Sequence, residues 1–181
     1  MSFSRARKKV YTEDELYEYA VGALARRMRT VAELKRLLRQ KVEAETEFGQ
    51  TLVELIIRRL KDQGYLNDAK YAASYSSFRR DNEKFGSLRV STDLKAKGVH
   101  GAVIDEAVSS AFDDVNEEKQ ARAYLSRKRL VKPKDPKQAA RIFRQLLRAG
   151  FRSKTIFTIL KKWDVNEETL TALEESKEST E

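Results

Sequence analysis

Apolar residues recur along this chain every three to four positions, and no segment alternates apolar and polar residues for long enough to form a half-buried strand. Leu16, Ala20, Ala23, Leu24 and Met28 predict a first helix, preceded by Thr12 as N-cap and an acidic first turn, Glu13-Asp14-Glu15. Thr30 is placed to cap a second helix, with its stripe at Val31, Leu34, Leu37, Leu38 and Val42. A third carries Leu52, Val53, Ile56, Ile57 and Leu60 and ends at Gly64 as C′ residue. Residues 43–49, ending in Phe48-Gly49, read as an irregular connection. The next stripes are Tyr71, Ala72, Tyr75 and Phe78, then Leu88, Val90 and Leu94, then Val103, Ile104, Ala107, Val108 and Phe112. Asn116 opens a further helix with Ala121, Tyr124 and Leu125. Pro133 and Pro136 bracket a loop. Ile142, Phe143, Leu146 and Leu147 mark the eighth helix, and Ile156, Ile159, Leu160 and Trp163 the ninth.

The pattern repeats. Leu94-Lys95-Ala96-Lys97-Gly98-Val99 is followed by Val103-Ile104 and Ala107-Val108; Leu146-Leu147-Arg148-Ala149-Gly150-Phe151 is followed by Thr155-Ile156 and Ile159-Leu160. Self-similarity of this kind predicts an all-α fold, an elongated, curved array of three tandem three-helix repeats with about nine helices. The expected divisions are a basic flexible arm at 1–11, repeats at 12–64, 65–115 and 116–165, and an acidic frayed tail at 166–181. The first repeat carries extra residues around Glu43–Phe48.

Composition sharpens this picture. Of 181 residues, 36% are charged and 40% hydrophobic, which suits several thin cores better than one large one. The net charge is +9, and because residues 166–181 are acidic, the first 165 carry +14. So basic a body calls for a polyanionic partner, nucleic acid or an acidic or DNA-bearing assembly. Each repeat's first helix ends in cations: Arg26-Arg27, Arg79-Arg80, and Arg127-Lys128-Arg129. Arg36, Arg39, Arg141, Arg144, Arg148 and Arg152 extend the basic surface along and beyond the second helices. Cations at a helix C-terminus also complement the helix dipole, so capping and ligand binding both account for the clusters. Arginine predominates, and its planar fork suits bidentate pairing with phosphate or carboxylate.

Chemistry is sparse. There is no cysteine, and His100 is the only histidine, beside a glycine in a predicted loop. No Walker A, G-x-G-x-x-G or His-Glu-x-x-His pattern occurs. Glu43, Glu45 and Glu47 alternate without forming an oxygen cage. The reading is a non-enzymatic protein with no cofactor, no metal, no signal peptide and no membrane span, expected in the cytoplasm.

Gly64-Tyr65-Leu66-Asn67-Asp68 followed by Tyr71-Ala72 resembles the signature of the RecX family of bacterial recombination regulators. Arg79-Arg80, Phe85-Gly86, Leu94 and Lys97-Gly98-Val99 continue the match, which covers about residues 14–163. Ser87 departs from it, standing where many members have proline. The resemblance implies a monomeric regulator that lodges in the helical groove of the RecA–DNA filament. There it would mainly inhibit RecA's ATPase, strand exchange and coprotease activity in recombination, DNA repair and the SOS response. It also implies weak, salt-sensitive binding to single- and double-stranded DNA. A helical module that binds DNA directly, without RecA, is the alternative.

Overall fold

The computed structural model describes residues 11–42 and 46–178; the basic arm up to residue 10, and Glu43 and Glu45 of the insertion, lie outside them. All regular structure among the described residues is helical: α1 (Glu13–Arg26), α2 (Val31–Arg39), α3 (Glu47–Asp62), α4 (Asp68–Phe78) with a π turn (Arg79–Glu83), α5 (Ser87–Ala96), α6 (Gly101–Phe112), α7 (Glu117–Arg127), α8 (Pro136–Arg148), α9 (Ser153–Lys162) and α10 (Glu167–Glu178). The chain forms two compact units. Among the described residues, one runs as far as Ala72 and takes in Leu94–Ile104, and the other comprises Ala73–Asp93 and the residues from Asp105 onward, so the middle of the sequence contributes to both.

Short-range chemistry sets most helix boundaries. Thr12 and Thr30 both make capping boxes: each hydroxyl accepts from the backbone N–H three residues on, and Glu15 or Glu33 reaches back to the threonine N–H. Asn67, Asn116, Asp135 and Asn166 accept the corresponding N–H at the starts of α4, α7, α8 and α10. Pro136 takes the first position of α8, where no N–H is needed.

The repeated Leu-x-x-x-Gly segment is a helix stop. In each copy the leucine carbonyl accepts from the residue after the glycine, Val99 N to Leu94 O at 3.2 Å and Phe151 N to Leu146 O at 3.2 Å, and the glycine N–H bonds one turn back. This Schellman closure needs a left-handed residue, supplied by Gly98 (φ 76°) and Gly150 (φ 88°). Leu60-x-x-x-Gly64 ends α3 in the same way.

The first unit packs α1, α2 and α3 around Leu16, Ala20, Leu34, Leu38, Val53, Ile56 and Leu60. The second buries Tyr124, Leu125, Ile142, Phe143, Leu146, Phe151, Ile156, Ile159 and Leu160, with α7 and α8 both against α9.

Four expectations are corrected. The tail is not frayed through its length: residues 167–178 form α10, which packs on α8 and buries Leu170 and Leu173, both 6% exposed. Two leucines one turn apart suffice to dock an otherwise polar helix. The irregular connection before α3 is shorter than expected, because the Thr46 hydroxyl accepts from Gly49 N and starts the helix at Glu47. Met28 lies beyond the end of α1 and is exposed, and Phe78, placed in a core stripe by its spacing, is exposed too.

Candidate polyanion-binding surface

The residues that resemble the family signature serve the fold first. Gly64 supplies the left-handed turn at φ 76°, Leu66 is buried, and Asn67 caps α4. The Asp68 carboxylate accepts from Val31 N at 2.8 Å, capping α2 from a distance of 37 residues in sequence. Tyr71 and Ala72 are buried, with the Lys97 ammonium 5.9 Å from the Tyr71 ring centre. A Cβ on Gly98 would come within 2.4 Å of the Ala32 Cβ. Tyr65 is the one large apolar side chain of the block that is exposed.

Lys97 anchors the same corner. Its carbonyl accepts from the buried Thr30 hydroxyl at 2.7 Å, and its ammonium meets Glu33 at 3.0 Å. Burial raises the Glu33 carboxyl, but the bond and charge of Lys97, the Thr30 N–H and the Arg27 charge outweigh it and hold the group below the usual carboxylate range. Burial lowers Lys97 in turn, and the contacts with Glu33 and Tyr71 carry it above the ordinary lysine value. A carboxylate depressed in the folded state stabilises above its unfolded pKa and loses that contribution as pH falls through the folded one. The raised lysine loses its contribution only as pH rises past its folded value. We therefore expect Glu33→Gln to lower stability at neutral pH by about 1 kcal/mol and to flatten the acid limb of stability against pH, read by urea unfolding across pH 3–7.

The predicted contact residues fall into two groups. Arg79 and Arg80 are built into the fold. Arg79 sits between the Tyr75 and Phe85 rings and pairs with Asp93 at 2.9 Å, and the Tyr75 hydroxyl also donates to Asp93, at 3.0 Å. Burial lowers the Arg79 guanidinium, and the Asp93 bond and the Tyr75 contacts more than restore it. Burial and the Asp93 bond both raise the Tyr75 hydroxyl. Arg89 reaches the same carboxylate at 2.9 Å. Arg80 chelates Asp81 and donates to the Ala111 carbonyl. Arg127 pairs with Glu83 at 3.4 Å, and Lys128 stands 5.9 Å from the Tyr124 ring centre. Arg129 takes the left-handed position that closes α7, at φ 54°, and Arg152 precedes α9 with its N–H on Glu117 at 3.1 Å.

Arg127, Lys128, Arg129 and Arg152 are nonetheless exposed. The remaining predicted residues face solvent too. In the first unit Arg26 and Arg27 end α1, and Arg36 and Arg39 lie on the outer side of α2; all four are exposed. In the second unit Arg144 and Arg148 are exposed on α8, together with Arg141 and with Lys137, which sequence reasoning overlooked because it sits beside Pro136 in what read as loop. Among the described residues, none of these eight has an ion pair to an acid. The partner acids Asp93, Glu33 and Glu117 were likewise overlooked. Each acts on a group distant in sequence, which local spacing does not reveal.

Comparison with known proteins places the chain. A family model, RecX, second three-helix domain, matches residues 67–108. The regulatory protein RecX of Deinococcus radiodurans is 32% identical over 162 residues, covering 87% of this chain and 72% of the relative. That of Trichlorobacter lovleyi is 32% identical over 151 residues, covering 82% and 95%. The chain belongs to the RecX family. Its match to the Bacillus subtilis RecX is 33% identical over 138 residues and spans only half of that relative. A RecX crystal structure from Lactobacillus salivarius, 22% identical, superposes with a TM-score of 0.62 over 84% of this chain and 96% of that one, which shows the same helical fold. Within this RecX-family fold, a matching glycine, aspartate or tyrosine marks a joint between helices. The cations Arg26, Arg36, Arg39, Arg144 and Arg148 of α1, α2 and α8 face solvent instead.

Proposed function

We propose that this RecX-family chain regulates the RecA recombinase by binding along the RecA–DNA filament and suppressing its DNA-dependent ATPase. The observation that carries this reading is the set of exposed cations Arg26, Arg27, Arg36, Arg39, Lys137, Arg141, Arg144 and Arg148, which make no ion pair among the described residues. Keeping such a surface at a net charge of +9 costs self-repulsion, a cost that a periodic polyanion offsets. A filament of protein and DNA presents phosphate and carboxylate repeatedly, and several modest contacts on one chain add up through effective concentration. Family membership supplies RecA as the filament. Suppression follows if the bound chain bridges subunits that must move during ATP turnover.

The test is RecA's single-strand-dependent ATPase titrated with this protein. The rate should fall progressively to a small fraction of its starting value as the protein approaches saturation, and less so at high salt. An unchanged rate at saturation in low salt would overturn the reading. Equal affinity for bare and RecA-coated DNA would favour direct DNA binding instead.

A further inference from the structure

One stretch of this basic chain is acidic throughout. Between Gly98 and Glu118 stand Asp105, Glu106, Asp113, Asp114, Glu117 and Glu118, with no lysine or arginine. Glu117 and Glu118 pair with cations of the second unit. Asp113 and Asp114 are exposed and make no ion pair among the described residues. They fill the turn between Phe112, which ends α6, and Val115.

Phe112 and Val115 line a cleft of about 100 Å³ within the second unit, and Phe151, 1% exposed, completes its apolar wall. An apolar cavity of about 150 Å³ takes a benzene ring, so this smaller space suits one aliphatic side chain. Glu117 and Gln120 of α7 supply its polar side, and both are held in place. The Glu117 carboxylate accepts from Arg152 N at 3.1 Å and from the Thr155 hydroxyl. The Gln120 amide nitrogen donates to the Arg80 carbonyl at 2.7 Å and to the Phe85 carbonyl at 3.4 Å. Its amide oxygen is left as an acceptor with no donor among the described residues.

Arg152 is the single cation of the lining, and its guanidinium already faces Glu117 at 3.9 Å. Lys119 lies about 100° or more around α7 from both Glu117 and Gln120. Three carboxylates, those of Asp113, Asp114 and Glu117, therefore stand against one guanidinium. A phosphate backbone needs the opposite balance. A small apolar recess with a fixed polar edge is instead what a side-chain anchor of a protein interface fills.

We propose that this cleft, lined by the first residues of α5 and α7, docks a protein partner through one aliphatic side chain flanked by lysine or arginine. The aliphatic group covers the Phe112, Val115 and Phe151 wall. The neighbouring cation meets Asp113, Asp114 and the Gln120 amide oxygen. The site rests on the RecA reading above and gives it a protein contact that is separate from the exposed cations.

The test titrates the fluorescently labelled full chain with RecA by anisotropy, without DNA, at about 50 mM salt. Ser87 lines the cleft, is half-buried, and its hydroxyl makes no hydrogen bond among the described residues, so S87L fills the space. This variant should lose about thirtyfold in RecA affinity, the scale of a displaced anchor residue. D113K/D114K should lose about tenfold through charge reversal beside the incoming cation. The control E18K/D62K makes the same change in net charge at exposed positions of the first unit and should keep its affinity. Equal shifts in D113K/D114K and the control would overturn the cation-flanked occupant, because bulk charge would then explain binding. Unchanged RecA affinity in S87L, with native circular dichroism, would overturn the cleft. Should S87L fail to fold, D113K/D114K decides alone, since it alters only exposed side chains. A parallel loss of oligo-dT affinity in S87L would assign the cleft to nucleic acid and overturn the protein site. Sedimentation showing a dimer that S87L dissolves would assign it to a second copy of the chain, with the same consequence. An unaltered chain that does not bind RecA would sink the RecA reading and this site with it. Binding that survives both cleft variants would sink the site alone.

Discussion

Replacing Gly150 with alanine is expected to destabilise the second unit severely. The residue sits at φ 88°, where an L side chain costs roughly 1–2 kcal/mol. The larger effect is space. A Cβ there would lie 2.2 Å from the Arg89 nitrogen and 2.8 Å from its Cα, backbone atoms that cannot rotate away. The approach is reciprocal: a Cβ on Gly86 would lie 2.2 Å from the Gly150 oxygen, and Gly86 N donates to the Ala149 carbonyl at 2.8 Å. Relief requires the start of α5 to separate from the turn after α8, breaking that bond and loosening Phe151, which is 1% exposed. Overpacking of this kind adds about 1–3 kcal/mol, for a total of about 2–5 kcal/mol against a typical stability of about 5–15. A domain of this size should then melt more than about 10 °C lower by circular dichroism. Gly64→Ala separates the two causes, since Gly64 has φ 76° but nothing within 4 Å of its Cβ position. It should cost only about 1 kcal/mol. Equal melting points for the two variants would show that the close approach contributes nothing.

Asp93→Ala should be nearly as damaging. One carboxylate, 14% exposed, takes Arg79 and Arg89 at 2.9 Å each and the Tyr75 hydroxyl at 3.0 Å. Its removal leaves two guanidiniums facing each other, one of them enclosed by the Tyr75 and Phe85 rings. Breaking a buried ion pair by deleting one partner costs about 3–5 kcal/mol, and the partial exposure of Arg89 brings the expectation to about 2–4. Chemical denaturation should show the loss. The double variant Asp93→Ala with Arg79→Leu should recover part of it, because no enclosed charge is then stranded. A double variant less stable than the single one would refute this account.

The same network qualifies the ladder of equivalent basic clusters that the repeat suggested. Arg79-Arg80 aligns with Arg26-Arg27 and Arg127-Lys128-Arg129 in sequence, yet its charges are bound within the fold while Arg26 and Arg27 project from it. Two adjacent arginines look alike in a sequence wherever they stand. Only Asp93, fourteen residues on, and the Ala111 carbonyl, thirty-one residues on, distinguish them. The tail misled for a related reason. Its acidity outweighed two leucines whose value depends entirely on the α8 surface that receives them. Phe78 shows the reverse error: correct helical spacing without a neighbouring element to cover it.

What the sequence determined by itself was local. Apolar spacing gave the helices, because a 3.6-residue period leaves a stripe that any core must cover. Threonine, asparagine, proline and glycine gave their ends, because caps and left-handed turns are settled within four residues. The Gly-Tyr-Leu-Asn-Asp block pointed to the family. The tertiary structure decided the rest: that Asp68 caps a helix other than its own, that Gly86 and Gly150 touch backbone to backbone, and that the acidic tail docks on α8 through Leu170 and Leu173. It also decided which arginines are paired within the fold and which face solvent. Charge is written in the sequence, but whether a charge is spent depends on what stands within about 4 Å of it, and folding alone brings those groups together.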